Sequence, residues 1–144
     1  ALLENDRKAK SCITKIALQY NCKLGGELWI TNIPMKNVMI CGIDTYHDSS
    51  SQKKSVCAFI ATYNETKSKF FSRATIQESH QELSNNLTLT VKSACEHYRK
   101  VNNMFPEKVI IFRDGISDGQ LSAVVDYEIP QIQKAFHLID PEYK

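Results

Sequence analysis

Long hydrophobic runs are missing from this sequence. The longest, Val38 to Ile43 and Val56 to Ala61, fall far short of the ~18 apolar residues that a membrane-spanning helix needs. A dominant charge is missing too: 18 Lys and Arg against 16 Asp and Glu leave a formal net charge of +2. A nucleic-acid partner would therefore have to be held by a local patch rather than by the field of the whole chain. The five cysteines (Cys12, Cys22, Cys41, Cys57, Cys95) are odd in number and include no C-x-x-C pair and no zinc-ligand spacing. Three of them lie in apolar runs, where a reduced thiol acts as a small hydrophobe. That points to a reducing, intracellular compartment and to no disulfide partner. Internal repeats, low-complexity tracts, the P-loop spacing and H-E-x-x-H are also lacking. The N-terminus is polar and mixed in charge, unlike a signal peptide, and without a starting Met the chain is expected to be a piece of something longer.

What is present reads as one folded domain. The 144 residues are 42% hydrophobic and 24% charged, values of a globular protein rather than a disordered one. Residues 4–20 carry Ile13, Ile16, Ala17 and Tyr20 at helical spacing, and Gly25-Gly26 ends that helix. Residues 38–44 are an apolar run closed by an acid, the pattern of a strand buried on both faces. After the polar stretch 47–55, runs at 56–63 and 69–76 continue an antiparallel meander. A helix is predicted from about Ser79 to Lys100, with Leu83, Leu87, Val91, Ala94, Cys95 and Tyr98 on one face. Within it, Leu87 to Val91 alone would read as strand. Pro106 precedes a further buried strand, Lys108 to Phe112, followed by Asp114. Ser117-x-x-Gln120 spells a capping box for a last helix through Leu121, Val124, Val125, Glu128, Ile129, Ile132 and Phe136. Pro130 should kink or split it. The order, helix and then β-β-β-α-β-α, describes an α/β mixed sheet with helices on its faces.

Two acids stand where such a sheet collects ligands. Asp44 and Asp114 each follow an apolar strand, and ligands of open α/β sheets gather at carboxyl ends of strands. If the two strands are parallel neighbours, the carboxylates repel unless a cation neutralises them. A hard divalent ion such as Mg²⁺ is the natural resolution. The plain alternative is that each acid ends a strand and caps a turn, Asp114-Gly115 being a common turn dipeptide. Glu82 has two readings as well, the third helical position of a capping box begun by Ser79 or a third acid at the site. His47, His80, His97 and His137 have no metal-ligand spacing, and His97 and His137 are expected on helix surfaces. Five basic residues (Arg7, Lys8, Lys10, Lys15, Lys23) precede Gly26 without an intervening acid. They read as a solvated helix face or as a phosphate-binding stretch, with Lys23 beside Gly25-Gly26. Trp29 could stack on a base, although a lone Trp before a strand more often serves a core or an interface.

Three stretches carry a more specific signal. Lys15 to Trp29 (K-I-A-L-Q-Y-N-C-K-L-G-G-E-L-W), Met39 to Asp48 (M-I-C-G-I-D-T-Y-H-D) and Phe112 to Leu121 (F-R-D-G-I-S-D-G-Q-L) resemble three motifs of the Piwi domain of Argonaute-family proteins. They stand in family order and spacing, and their wording is closer to the Piwi branch, the germline small-RNA binders. The resemblance implies a ribonuclease-H-like fold, which matches the element order above. It divides the chain into residues 1–36, the end of a MID-like region with its linker, and residues 37–144, a partial Piwi domain. It also implies an Asp-Glu-Asp-His tetrad holding Mg²⁺ or Mn²⁺, with Asp44, Glu82 and Asp114 as the three acids. The family's tetrad His lies beyond the second Asp motif, and none of the four histidines here occupies its place. Lys23 matches a lysine of the family's guide 5′-phosphate pocket; Gln19 stands at another pocket position, neutral where the Argonaute branch has Lys.

The implied function is that of a partial small-RNA (piRNA) guided protein whose complete form is a Mg²⁺-dependent endoribonuclease in RNA silencing. The alternative is a non-catalytic guide and RNA binder that recruits other silencing proteins. The chain alone is expected to be inactive, lacking the tetrad His. Expected partners are a guide RNA and its complementary target, with no membrane. The cytoplasm, including germ granules, is the expected location, and entry into the nucleus is left open.

Overall fold

The computed structural model describes residues 6–47, 54–77 and 86–143. They fall into two compact units, Ala1–Asn32 and Ile33–Lys144. In the first, helix α1 spans Asp6–Lys23. Gly25 ends it in the left-handed region at φ 86°. Its N–H donates to Cys22 O (3.0 Å) and the Gly26 N–H to Asn21 O (2.9 Å), the paired bonds that close a helix through a left-handed glycine. The predicted glycine stop is the observed one.

The second unit runs β1 (Val38–His47), β2 (Ser55–Thr62), β3 (Phe70–Gln77), α2 (Leu87–Asn102), β4 (Lys108–Arg113) and α3 (Leu121–Ile139). The expected β-β-β-α-β-α order is present. In the sheet the strands lie β3-β2-β1-β4. Neighbours β1, β2 and β3 pair antiparallel, whereas β4 pairs parallel with β1. A parallel neighbour cannot be reached by a tight turn; α2 supplies the crossover.

Alternation along the strands explains the core. Met39, Cys41 and Ile43 of β1 and Cys57, Phe59 and Ala61 of β2 are buried against Leu87, Val91, Ala94, Cys95 and Tyr98 of α2 and Ala135 of α3. Both helices cover the same face. On the other, Ile60 is 46% exposed and Phe112 66%, so the strands predicted to be buried on both faces are covered on one. Their apolar runs carry Val, Ile and Phe on both sides, and periodicity alone does not count layers.

Two local readings change. Leu87 to Val91 is helical because Leu87, Thr90 and Val91 fall on the buried stripe of α2, and tertiary burial overrides β propensity. The start of α2 is also tied to α3: Leu87 N–H donates to Gln131 Oε1 (3.1 Å) and the Thr88 hydroxyl to Gln131 O (2.9 Å). Pro130 neither splits nor ends α3, which runs unbroken through it. The proline and Asp126, whose carbonyl it leaves without a helical donor, are both exposed. Ahead of α3 the predicted capping box is in place, Gln120 Oε1 accepting from the Ser117 N–H (3.2 Å) and hydroxyl (2.9 Å).

The thiols divide by burial. Cys12 and Cys22 are exposed; Cys41, Cys57 and Cys95 are buried. Burial pushes Cys41 up to about 12, aided by the neighbouring Cys95, and pushes Cys95 to about 12, aided by Glu96. Iodoacetamide at about pH 8 should therefore alkylate Cys12 and Cys22 in the native chain, as read by mass spectrometry, and all five only in urea. Above the ordinary thiol value of 9.0 the unfolded chain ionises first. The stability these two thiols contribute is thus full below pH 9 and lost as pH rises toward 12.

Candidate functional site

The two acids singled out from the sequence meet at the β1–β4 seam. In the parallel register Ile43 lies opposite Arg113, so Asp44 and Asp114 are the next residues on neighbouring strands. The ladder extends one bond further, Asp114 N–H donating to Ile43 O at 3.0 Å. β1 does not stop at its acid, as the apolar run suggested, but continues beside β2 to His47. It is the neighbour β4 that ends, and this leaves Asp44 at an open corner of the sheet.

Both carboxylates are exposed and held by local backbone. Asp44 Oδ1 accepts from the Thr45 N–H and Asp114 Oδ1 from the Gly115 N–H, each at 2.8 Å. Gly115 turns away at φ 76°, and a Cβ on it would come 3.4 Å from Asp44 Oδ1. The left-handed conformation favours glycine here. Alternation puts Asp44 on the uncovered face with Ile40 and Gly42, open to solvent. Among the described residues neither carboxylate forms an ion pair, and no group of three or more His, Cys, Asp or Glu is placed to hold a metal. The pair itself offers hard oxygen donors of the kind Mg²⁺ and Mn²⁺ accept. Glu82 and the capping box proposed for Ser79 lie outside the described residues, as does His80.

The remaining histidines point elsewhere. His47 belongs to the covered side of β1, its Nδ1 2.7 Å from the hydroxyl of buried Ser55; it is turned away from Asp44. His97, expected on a helix surface, is half-buried between the rings of Tyr63 (4.5 Å, edge-on) and Phe71 (5.8 Å). His137 is exposed.

Sequence reasoning missed the residues that brace the acid turn. Arg113, one residue before Asp114, turns to the covered face and forms a two-pronged ion pair with Glu128 of α3, Nε to Oε2 at 2.9 Å and Nη2 to Oε1 at 3.2 Å. Its Nη1 donates to the Asp114 carbonyl. The signal was present: Glu128 is a carboxylate in the apolar stripe of the last helix, and a buried carboxylate calls for a cationic partner.

In the first unit Gln19 and Lys23 are exposed and one turn apart on α1, and Lys15 precedes them by one more turn. Residues four apart share a helix face. Trp29 is 77% exposed.

A family model described as the Piwi domain matches residues 2–144. The chain belongs to the Piwi-domain family. This Piwi chain is similar to Protein argonaute-3 of Drosophila melanogaster, 50% identical over 91% of the chain and 15% of that protein. It is also similar to Piwi-like protein Ago3 of Bombyx mori, 44% identical over 99% of the chain and 15% of that protein. Piwi-like protein 1 of Danio rerio is 44% identical over 91% of the chain and 15% of its own length. The chain thus spans about 15% of the length of these relatives. Among solved structures, Drosophila Piwi superposes with a TM-score of 0.76 at 27% identity, covering 94% of this chain and 18% of that one. Kluyveromyces polysporus Argonaute with a guide RNA superposes at 0.80 and 23% identity, over 90% of this chain and 16% of that one. The ribonuclease-H-like mixed sheet expected from the sequence is the fold of this Piwi chain.

Proposed function

We propose that this chain is the acid-bearing part of a Piwi-branch protein that binds a small guide RNA and, in its complete form, cuts complementary RNA. The reading is carried by one observation: Asp44 and Asp114 follow paired residues of adjacent parallel strands, and both are exposed to solvent. Two exposed carboxylates would repel a polyanionic backbone, so their use on RNA requires a cation between them and the phosphate. Mg²⁺ or Mn²⁺ held by Asp44, Asp114 and Glu82 would supply Lewis-acid polarisation of the scissile phosphodiester. The Gly115 turn keeps the approach to Asp44 free of side-chain bulk. Lys23 would give a charge, and Gln19 a neutral donor, to the 5′-phosphate of the guide. A cytoplasmic site of action is part of the same reading.

The test is programmed cutting. The parent protein, loaded with a 5′-phosphorylated guide, should cut a fully matched RNA at one position in Mg²⁺ and not in EDTA. Shifting the guide sequence by two nucleotides should move the cut by two. A parent that holds guide and target tightly yet leaves the target whole would overturn the nuclease reading in favour of a non-catalytic binder that silences by recruitment.

A further inference from the structure

The Arg113–Glu128 pair lies on the side of the sheet away from the two acids, yet it connects to Asp114 through three successive contacts. Glu128 is fixed on α3, its side chain 2% exposed, and it grips the Arg113 guanidinium, 11% exposed, with both oxygens. The third arm of that guanidinium, Nη1, holds the carbonyl of Asp114. A peptide group is planar, so fixing this carbonyl also fixes the Gly115 N–H on the opposite edge of the same plane. That N–H is the donor to Asp114 Oδ1 at 2.8 Å, and Gly115 is close enough to Asp44 that a Cβ on it would come 3.4 Å from Asp44 Oδ1. Rotation of this peptide plane would displace the Asp114 carboxylate relative to that of Asp44, which is held by the Thr45 N–H of its own strand.

Stability alone is a poor reason for such a pair. Buried ion pairs can often be exchanged for apolar side chains of similar volume without loss, whereas removing one partner strands a buried charge. What apolar substitutes could not supply is the hydrogen bond to the Asp114 carbonyl. We propose that Glu128 and Arg113 are positioning residues: from the covered face they set the Asp114–Gly115 peptide plane and, through it, the relative placement of the Asp44 and Asp114 carboxylates. The inference rests on the nuclease reading only for its consequence in catalysis, not for its geometry.

The experiment uses the guide-loaded parent with two variants, Glu128→Gln and the double replacement Arg113→Met with Glu128→Leu. Glu128→Gln leaves the guanidinium without its counter-charge and is expected to melt lower; the double variant is expected to melt close to the wild type. Both should lower the rate of guided cleavage by about 10- to 100-fold at unchanged target affinity. Both should also raise the Mn²⁺ concentration for half-saturation, measured by paramagnetic resonance in the absence of target. Amide hydrogen exchange at Asp114 and Gly115 should quicken in the double variant, while amides in the core of β1 stay as in the wild type.

If the double variant regains cleavage and Mn²⁺ affinity together with its melting temperature, the pair is a packing device and the proposal is overturned. Unchanged exchange at Gly115 overturns it as well. A wild-type parent that does not cut defeats the nuclease reading instead, and in that case the exchange rates still decide, in the same sense, whether the pair sets the turn.

Discussion

Replacing Asp44 with alanine in the guide-loaded parent should lower cleavage of a matched RNA by about 10³-fold or more, while guide and target affinity stay within a few-fold. The size follows from what the carboxylate is asked to do. Charge stabilisation at a scissile phosphate by a bound cation is worth several kcal/mol, and each 1.36 kcal/mol is a factor of ten in rate. Binding should survive because Asp44 is exposed and its carboxylate accepts from the adjacent Thr45 N–H; the strand is held by its neighbours, not by this side chain. Single-turnover cleavage measured beside filter binding separates the two effects. Cutting by the variant at the wild-type rate would remove Asp44 from the reaction, and with it the proposed use of the strand-end pair.

The second large effect is on stability. Phe59→Ala should destabilise the chain by about 3–5 kcal/mol, a large share of the 5–15 kcal/mol typical of a domain. Phe59 is 2% exposed and sits on an inner strand, paired with Ile43 on one side and Arg73 on the other. Truncation there opens a cavity beneath the helices that the flanking strands cannot close. Ile60→Ala, one residue along but on the uncovered face and 46% exposed, should cost far less. Urea midpoints with an unchanged slope are the measure. Equal losses at the two positions would mean that both faces of β2 contribute alike, contrary to the one-sided core described above.

The element order was legible because its signals are local. Gly25-Gly26, the Ser117–Gln120 box and the apolar spacing of the last helix each act within a few residues, and each acts as read. The acids were legible as ends of apolar runs, but their adjacency was not; it depends on β4 crossing back to lie parallel beside β1. For the same reason the sequence could not say that β1 outlasts β4, or that α2 and α3 share one face. Arg113 and Glu128 went unrecognised because their partnership joins a strand to a helix across the fold. In the periodicity Glu128 simply filled a core position. Leu87 to Val91 shows the converse, β-branched residues drawn into a helix by the surface they bury. Gln19 was named from the resemblance alone and Lys23 from the resemblance and its place beside Gly25-Gly26; the four-residue repeat of α1 sets them one turn apart on one face.

The parallel seam also sets an order of events during folding. His47 and Ser55, which close the first hairpin, are eight residues apart, whereas Asp44 and Asp114 are separated by seventy (114 − 44). Closing the longer loop costs about 2 kcal/mol more in chain entropy, and contacts of such span form late. A nascent or partly melted chain can therefore carry its β1–β2–β3 meander while its two acids are still strangers, and the strand-end pair is assembled only with the crossover through α2.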